Sequence, residues 1–383
     1  KQKCKNFLVK IKLRKGSMKY LILANNSGGL YRFRKELMKQ LILDGHEVYA
    51  VTPFDEFIQE IQAIGVQLIQ LEMNRRGKNP LQELQLLASY KRIIRQICPD
   101  MIITYTIKPG IYGGLLSRFL RKPYVVNITG LGTAFQKEGF FQHLIVWLWR
   151  TALKNASCVF FENRENAQTF VNLGIVKGEK IHVLHGAGVN LTDFPQQKYP
   201  CEDRQMHFLF VGRVMREKGI EELLGAMERL HTRYPDIVLD IVGWCEEDYE
   251  PRLKALQAEK YVCFHGFQKD VKPYITQAWA FVLPSYHEGM ANTLLEAAAM
   301  GRPLITTRIY GCMEAVEEGK TGYLCEVQSV DSLTEQMEKF ITLPYDQKVQ
   351  MGILAHEHVA ANFDKKRVVE ETVGILYDMG TKE

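Results

Sequence analysis

The sequence predicts an α/β protein built as two doubly wound, Rossmann-like halves that face each other across a cleft. Short apolar runs alternate with amphipathic stretches from Met18 to residue 190, at the spacing of strand and helix units. A polar, turn-rich stretch without periodicity follows, and the alternation then restarts at Met206. Apolar runs this short, bounded by turn formers, are strands buried on both faces, as in a parallel sheet covered by helices. With 383 residues and 46% apolar content the chain is long enough for two such cores.

In the first half, K-Y-L-I-L-A after Met18 is a buried strand, and N-N-S-G-G-L (25–30) leads into a helix beginning Y-R-F-R-K-E. The adjacent Gly28 and Gly29 let backbone approach a ligand closely, as first-strand loops do in doubly wound sheets. Further strands are expected at 46–53, 66–71, 101–106, 123–133, 158–163 and 181–186, with helical stretches between them. The helix G-F-F-Q-H-L-I-V-W-L-W-R (139–150) carries Phe140, Phe141, Trp147 and Trp149 beside Arg150 and Lys154. Packing against the sheet is the favoured reading, and seating in a membrane interface is the other.

The linker is placed at 191–205, dividing a first domain (18–190) from a second (206–363). The second domain reads as strands at 206–212, 237–243, 262–266, 278–283 and 303–307, with a helix at 220–230. The last segment, 364–383, is expected to be helical over 364–379, with Val368, Val369, Val373, Leu376 and Tyr377 at apolar spacing.

Charge is unevenly divided. Residues 1–17 hold seven Lys/Arg and no acid; residues 18–190 hold 21 basic and 13 acidic groups (+8), and residues 191–383 hold 21 and 31 (−10). A basic first half suits an anionic lipid surface or a phosphorylated substrate, or attraction to the acidic second half across a cleft; no nucleic-acid partner is expected. The basic arm lacks the long apolar core of a signal peptide, which leaves an electrostatic tether, an extension ahead of Met18, or residues foreign to the native chain, since Gly16-Ser17 precedes that Met. No apolar run approaches the ~20 residues of a membrane span. The eight dispersed cysteines, without a C-x-x-C pair, fit free thiols in a reducing cytoplasm better than structural zinc.

Two stretches carry chemistry. P-S-Y-H-E-G-M-A-N-T-L-L-E-A-A-A-M (284–300) reads as a strand end, a loop and a helix stopped by Gly301. Glu288 falls in the loop and Glu296 roughly one turn inside the helix, so the two carboxylates frame an anion at the helix N-terminus. G-R-V-M-R-E-K-G (212–219) ends a strand and sends Arg213 and Lys218 toward the mouth of the same crevice. An Arg fork and a Lys point charge suit a departing diphosphate.

These stretches, with G-F-Q-K-D-V (266–271) and N-T-L-L-E-A-A-A-M-G-R-P-L-I, resemble the retaining GT-B glycosyltransferases of family 4 in order and spacing. The likeness runs from Met18 onward, strongest in the second half, and is greatest to bacterial enzymes that extend undecaprenyl-diphosphate-linked sugars for capsule, O-antigen or glycoprotein glycans. The resemblance implies a GT-B fold whose final helix crosses back to the first domain, and Arg213, Lys218 and Glu288 as the catalytic set. It implies a UDP-sugar donor whose diphosphate is gripped by Arg213 and Lys218 and whose ribose is accepted by Glu296. Glu288 would hold hexose hydroxyls, and the N–H groups of Gly289, Met290 and Ala291 would face hexose or β-phosphate, with Asn292 and Thr293 nearby. Gly266, Phe267 and Gln268 would line the base, Gly212 would end the strand beneath the donor, and Gly28 and Gly29 would close over the phosphates. It further implies retention of anomeric configuration, a lipid-linked saccharide acceptor, and a peripheral place on the inner face of the cytoplasmic membrane.

Two departures stand out. Ala291 occupies a position where many relatives have Pro, and N-I-T-G-L-G-T (127–133) lacks the His that many carry beside the reacting sugar. The acceptor-side group is therefore open among Lys108, Asn127 and Thr129. No D-x-D motif occurs, so neither cofactor nor metal is expected and the cations and helix terminus would neutralise the diphosphate. The rivals are a UDP-sugar 2-epimerase-like isomerase, which needs no acceptor, and a nucleotide-sugar-binding protein without turnover. A dehydrogenase is disfavoured because G-x-G-x-x-G is missing.

Overall fold

Two parallel sheets, each wrapped by helices, make up the computed structural model of this chain, which describes residues 16–73, 79–132, 135 and 139–379. The basic arm lies almost entirely outside the described residues, as do the side chains of Phe140 and Phe141. The first sheet contains β1 (Lys19–Leu23), β2 (Glu47–Thr52), β3 (Gln67–Gln70), β4 (Met101–Tyr105), β5 (Tyr124–Ile128), β6 (Cys158–Phe161) and β7 (Ile181–Val183), in the order β3-β2-β1-β4-β5-β6-β7. Its helices are α1 (Ser27–Leu43), α2 (Ile58–Ala63), α3 (Pro80–Ile97), α4 (Gly114–Phe119), α5 (Phe140–Leu153) and α6 (Arg164–Asn172).

The second sheet contains β8 (Met206–Val211), β9 (Ile237–Val242), β10 (Val262–Phe264), β11 (Ala280–Leu283), β12 (Leu304–Thr307) and β13 (Gly322–Cys325), in the order β10-β9-β8-β11-β12-β13. Around it lie α7 (Ile220–Arg233), α8 (Glu250–Ala258), α9 (Lys272–Gln277), α10 (Asn292–Ala299), α11 (Val330–Ile341) and α12 (Tyr345–Asn362), followed by α13 (Lys365–Met379). Both strand orders reverse direction once, between β1 and β4 and between β8 and β11. At such switch points neighbouring loops diverge and leave a crevice beyond the strand ends.

The expected strands are all present, with shorter ends. The fifth, expected over 123–133, stops at Ile128, and the chain beyond it passes through Gly130 and Gly132, both at positive φ. Edge strand β13 was not expected: it is four residues long and begins at Gly322, where an added Cβ would lie 1.9 Å from the Leu304 carbonyl oxygen. The linker is not a free tether. Tyr199 donates its hydroxyl to the Trp279 carbonyl at 2.6 Å, and the Gln197 amide donates to Met300 at 3.2 Å, which fastens the segment to the second half.

Helix α13 returns to the first half, where Val368, Val373 and Leu376 join the apolar face formed by Tyr20, Leu37, Met38 and Leu41. At its end the Tyr377 hydroxyl reaches Asp44 at 2.5 Å and His46 at 3.1 Å. Helix α5 divides its surface. Trp149 is buried against Phe170, with ring centroids 5.7 Å apart, while Trp147 is 59% exposed. Packing accounts for one face of that helix and leaves the other to solvent.

Candidate functional site

Gly219 determines how the loop after β8 meets the loop after β11. It takes a φ of +72° and presses so close to Pro284 that an added Cβ would lie 2.1 Å from the Pro284 carbonyl oxygen. The short turn Arg216–Lys218 is thereby held against the end of β11, and Lys218 forms an ion pair with Glu288 through Nζ and Oε1. The Ser285 hydroxyl donates to the same carboxylate oxygen at 2.8 Å. The expected convergence of Lys218 and Glu288 at the crevice is therefore present.

Arg213 goes elsewhere. Its Nη1 donates to Glu246 Oε2 at 2.6 Å, in the loop after β9, which β8 separates from the β11 strand that leads to α10. The guanidinium remains partly exposed, so Glu246 restrains it beside the crevice. Gly212 lies beneath, its backbone oxygen so near Gly243 that a Cβ there would stand 1.8 Å away.

At the α10 terminus the structure modifies one expectation. The Ala291 N–H does not face open space; it donates to the Gly311 carbonyl at 2.8 Å, because the loop through Gly311 packs directly on Glu288 and Gly289. The amides of Gly289 and Met290 make no hydrogen bond among the described residues. Asn292 donates through Nδ2 to the Met290 carbonyl at 3.3 Å, and its buried Oδ1 has no partner among the described residues. Thr293 follows in the first turn of α10. A helix terminus with free amides and an uncommitted side-chain amide is suited to an anion.

Glu296, farther along α10, has its pKa pushed up to about 7 by burial, against the attraction of Lys365 and Arg32. Burial in turn pulls the Lys365 amine down. A helix carboxylate held this close to neutrality by burial is the kind of perturbed group that gathers at ligand sites.

The other half comes close. Gly289 abuts β5's end, where an added Cβ would lie 2.2 Å from the Thr129 carbonyl oxygen and 2.9 Å from Glu162 Oε2. Met290 fills the space over Gly186. Buried Arg34 donates to Glu162 at 2.7 Å and stacks on Tyr105, 4.7 Å from the ring centroid. Burial raises the Glu162 pKa while Arg34 opposes the shift. Asn163, buried after β6, donates through Nδ2 to the carbonyls of Gly289 at 2.6 Å and Glu288 at 3.3 Å.

Gly28 and Gly29 occupy the first turn of α1, where the Gly29 amide donates to its capping Asn26 at 2.5 Å. Gly266, at a φ of +64°, begins the loop carrying Phe267, and its carbonyl accepts from Gly243 at 2.8 Å. Gln268 turns back to donate to the His265 carbonyl at 2.9 Å. Of the acceptor-side candidates, Lys108 pairs with Glu83 at 2.5 Å, and Asn127 donates to Thr104 at 3.3 Å within the sheet. Thr129 meets Gly289 through its backbone.

Arg32, Arg34, Glu162, Asn163 and Lys365 also border this crevice and were not among the residues expected there. They lie on strand ends and helix faces whose pattern signals only the sheet; proximity across two halves has no local signature.

Among the described residues no group of three or more His, Cys, Asp or Glu is placed to hold a metal ion, and no helix is long and apolar enough to cross a membrane.

Residues 20–163 match the family model described as glycosyl transferase 4-like, and residues 193–357 that described as glycosyl transferases group 1. The chain is 24% identical over 379 residues to the N,N'-diacetylbacillosaminyl-diphospho-undecaprenol alpha-1,3-N-acetylgalactosaminyltransferase of Campylobacter jejuni, covering 94% of this chain and 98% of the other. It is 22% identical to the capsular polysaccharide biosynthesis glycosyltransferase CapM of Staphylococcus aureus, covering 79% of this chain and 84% of CapM. Among solved structures, Anabaena Alr3699/HepE in complex with UDP and glucose superposes with a TM-score of 0.78 at 18% identity, covering 94% of this chain and 100% of that one. The sucrose-phosphate synthase of Thermosynechococcus elongatus does so with a TM-score of 0.77 at 20% identity, covering 95% and 100%. These structural likenesses establish the fold.

Proposed function

The chain belongs to the GT-B glycosyltransferases, and from that premise we propose that it moves a hexose or N-acetylhexosamine from a UDP-sugar to a saccharide carried on undecaprenyl diphosphate, with retention of configuration. The observation that carries the reading is the Lys218–Glu288–Ser285 cluster in front of α10, at the switch point between β8 and β11. A donor diphosphate seated at the α10 terminus meets two free amides and the Lys218 ammonium. Arg213 joins them by a side-chain rotation away from Glu246. Glu288 is then free to accept hexose hydroxyls and Glu296 to accept those of the ribose. In this reading the cations and helix terminus carry the leaving charge, and no metal is required.

The acceptor class rests on the Campylobacter relative, whose name specifies a diphospho-undecaprenol substrate. A peripheral place on an anionic inner leaflet is supported by one surface of the first half. Trp147 and Leu144 project from α5 at 59% and 41% exposure. Arg150 and Lys154 lie on the same helix end.

The test is an incubation with a panel of UDP-sugars and an undecaprenyl-diphosphate disaccharide, separating products by mass. Lys218→Ala should lower transfer by about a hundredfold or more, assayed well below its melting temperature because Glu288 then loses its half-buried partner. Normal transfer by that variant removes the assignment, and consumption of UDP-sugar without acceptor points instead to isomerisation.

A further inference from the structure

Arg32, near the start of α1, lies between two rings that belong to opposite halves. Its Cζ stands 5.1 Å from the centroid of Phe57, buried in the first half, and 5.5 Å from that of Phe267, in the loop after β10. Phe267 is 37% exposed and meets Trp244, 45% exposed, edge to face with centroids 5.6 Å apart. Two large rings left this open side by side, at the ends of β9 and β10, offer faces on which a flat base can stack. The same guanidinium is one of two cations whose charge reaches Glu296, the other being Lys365 at the start of α13. Arg32 thus meets the ring pair from across the cleft, near enough for its charge to be felt at Glu296.

We propose that Arg32 is a donor-site residue supplied by the first half, closing the cleft over a nucleoside diphosphate whose base lies on Phe267 and Trp244 and whose ribose is held by Glu296. The inference rests on the nucleotide-sugar reading of the site. A guanidinium suits the position because it stacks on ring faces and keeps its charge at any physiological pH. Its contacts to the two rings are individually weak, so the closure can open for donor entry. The seam does not depend on it. Lys269 pairs with Glu60 at 2.5 Å and stands 5.1 Å from the Phe57 centroid, bridging the same two halves independently.

The charged groups facing Glu296 are Arg32 from α1 and Lys365 from α13; Lys365 itself faces Glu36, Arg34 and Lys35. Deleting the Arg32 charge therefore makes Glu296 harder to ionise, which a merely bracing residue would not do. The test is calorimetric titration of UDP into wild-type, R32Q and R32K proteins across a range of pH around neutrality. R32Q is expected to weaken UDP about five- to tenfold at pH 7 and to move the inflection in affinity to higher pH. R32K should keep the wild-type inflection and lose less. Wild-type affinity and profile in R32Q overturn the proposal, and so does a loss by the same factor at every pH. Failure of the wild-type protein to bind UDP overturns the nucleotide-sugar reading itself.

Discussion

The side-chain amide of Asn163 donates to the main-chain carbonyl of Gly289 at 2.6 Å, joining the first half to the loop that carries Glu288. The same side chain caps α6, its Oδ1 accepting from the Asn166 amide at 2.8 Å. Asn163→Ser keeps the cap and removes the reach. Transfer, measured as kcat/KM, should fall about tenfold, while the melting temperature drops by less than about 2 °C. An unaltered kcat/KM would show that the tether has no part in positioning Glu288.

Gly289 leaves no room for a side chain, since a Cβ would lie 2.2 Å from the Thr129 carbonyl oxygen. The Thr129 carbonyl is backbone, so it cannot rotate aside. Gly289→Ala should cost about 1–3 kcal/mol in denaturant unfolding and abolish transfer. Gly28 provides the contrast, because an added Cβ meets nothing nearer than Asn26 Oδ1 at 3.5 Å. Gly28→Ala should fold with wild-type stability and raise KM for the UDP-sugar, if phosphates approach that backbone as proposed. An unchanged KM removes Gly28 from the donor site.

Glu296 should make stability and donor binding respond oppositely to pH, if it holds the donor ribose as proposed. Its folded pKa, pushed up to about 7, lies above the 4.5 of an ordinary glutamate carboxyl, so the folded chain retains a proton that the unfolded chain has released. The Glu296 contribution therefore becomes less favourable to folding as pH rises from about 4.5 to about 7, and is constant above. Donor affinity should rise over the upper part of that range, as the carboxylate forms and accepts ribose hydroxyls. Glu296→Gln should melt higher than wild type at pH 8, by about 2 °C or more, and bind UDP more weakly without the pH dependence. A variant that melts lower at pH 8 would contradict this account of the burial cost.

The outward face of α5 makes a separate prediction. Trp147→Glu, alone or with Leu144→Glu, should reduce sedimentation with vesicles containing anionic lipid by about fivefold or more. Transfer to a short-chain, water-soluble acceptor should be unchanged. Equal sedimentation of the double variant and wild type would place the membrane contact, if any, elsewhere.

Much of this was legible locally. The Lys218 and Glu288 positions could be read because their loops follow strands, and strands show as apolar runs bounded by turn formers. Helix α5 could not be divided into its packed and exposed faces beforehand, since Trp147 and Trp149 are equally apolar as residues and differ only in what adjoins them. Strand β13 escaped because four residues beginning with glycine carry too little pattern.

Residue order alone determined the two parallel-sheet halves, the strand and helix that frame the crevice, and the presence of cations and carboxylates at its mouth. Tertiary structure decided which of them meet: Lys218 with Glu288, Arg213 with Glu246, Arg34 with Glu162, Asn163 with Gly289. The physical reason lies in range. Burial patterns and turn chemistry act over a few residues, whereas Asn163 and Gly289 stand 126 positions apart and come together only when both cores have packed and α13 has closed back onto the first half.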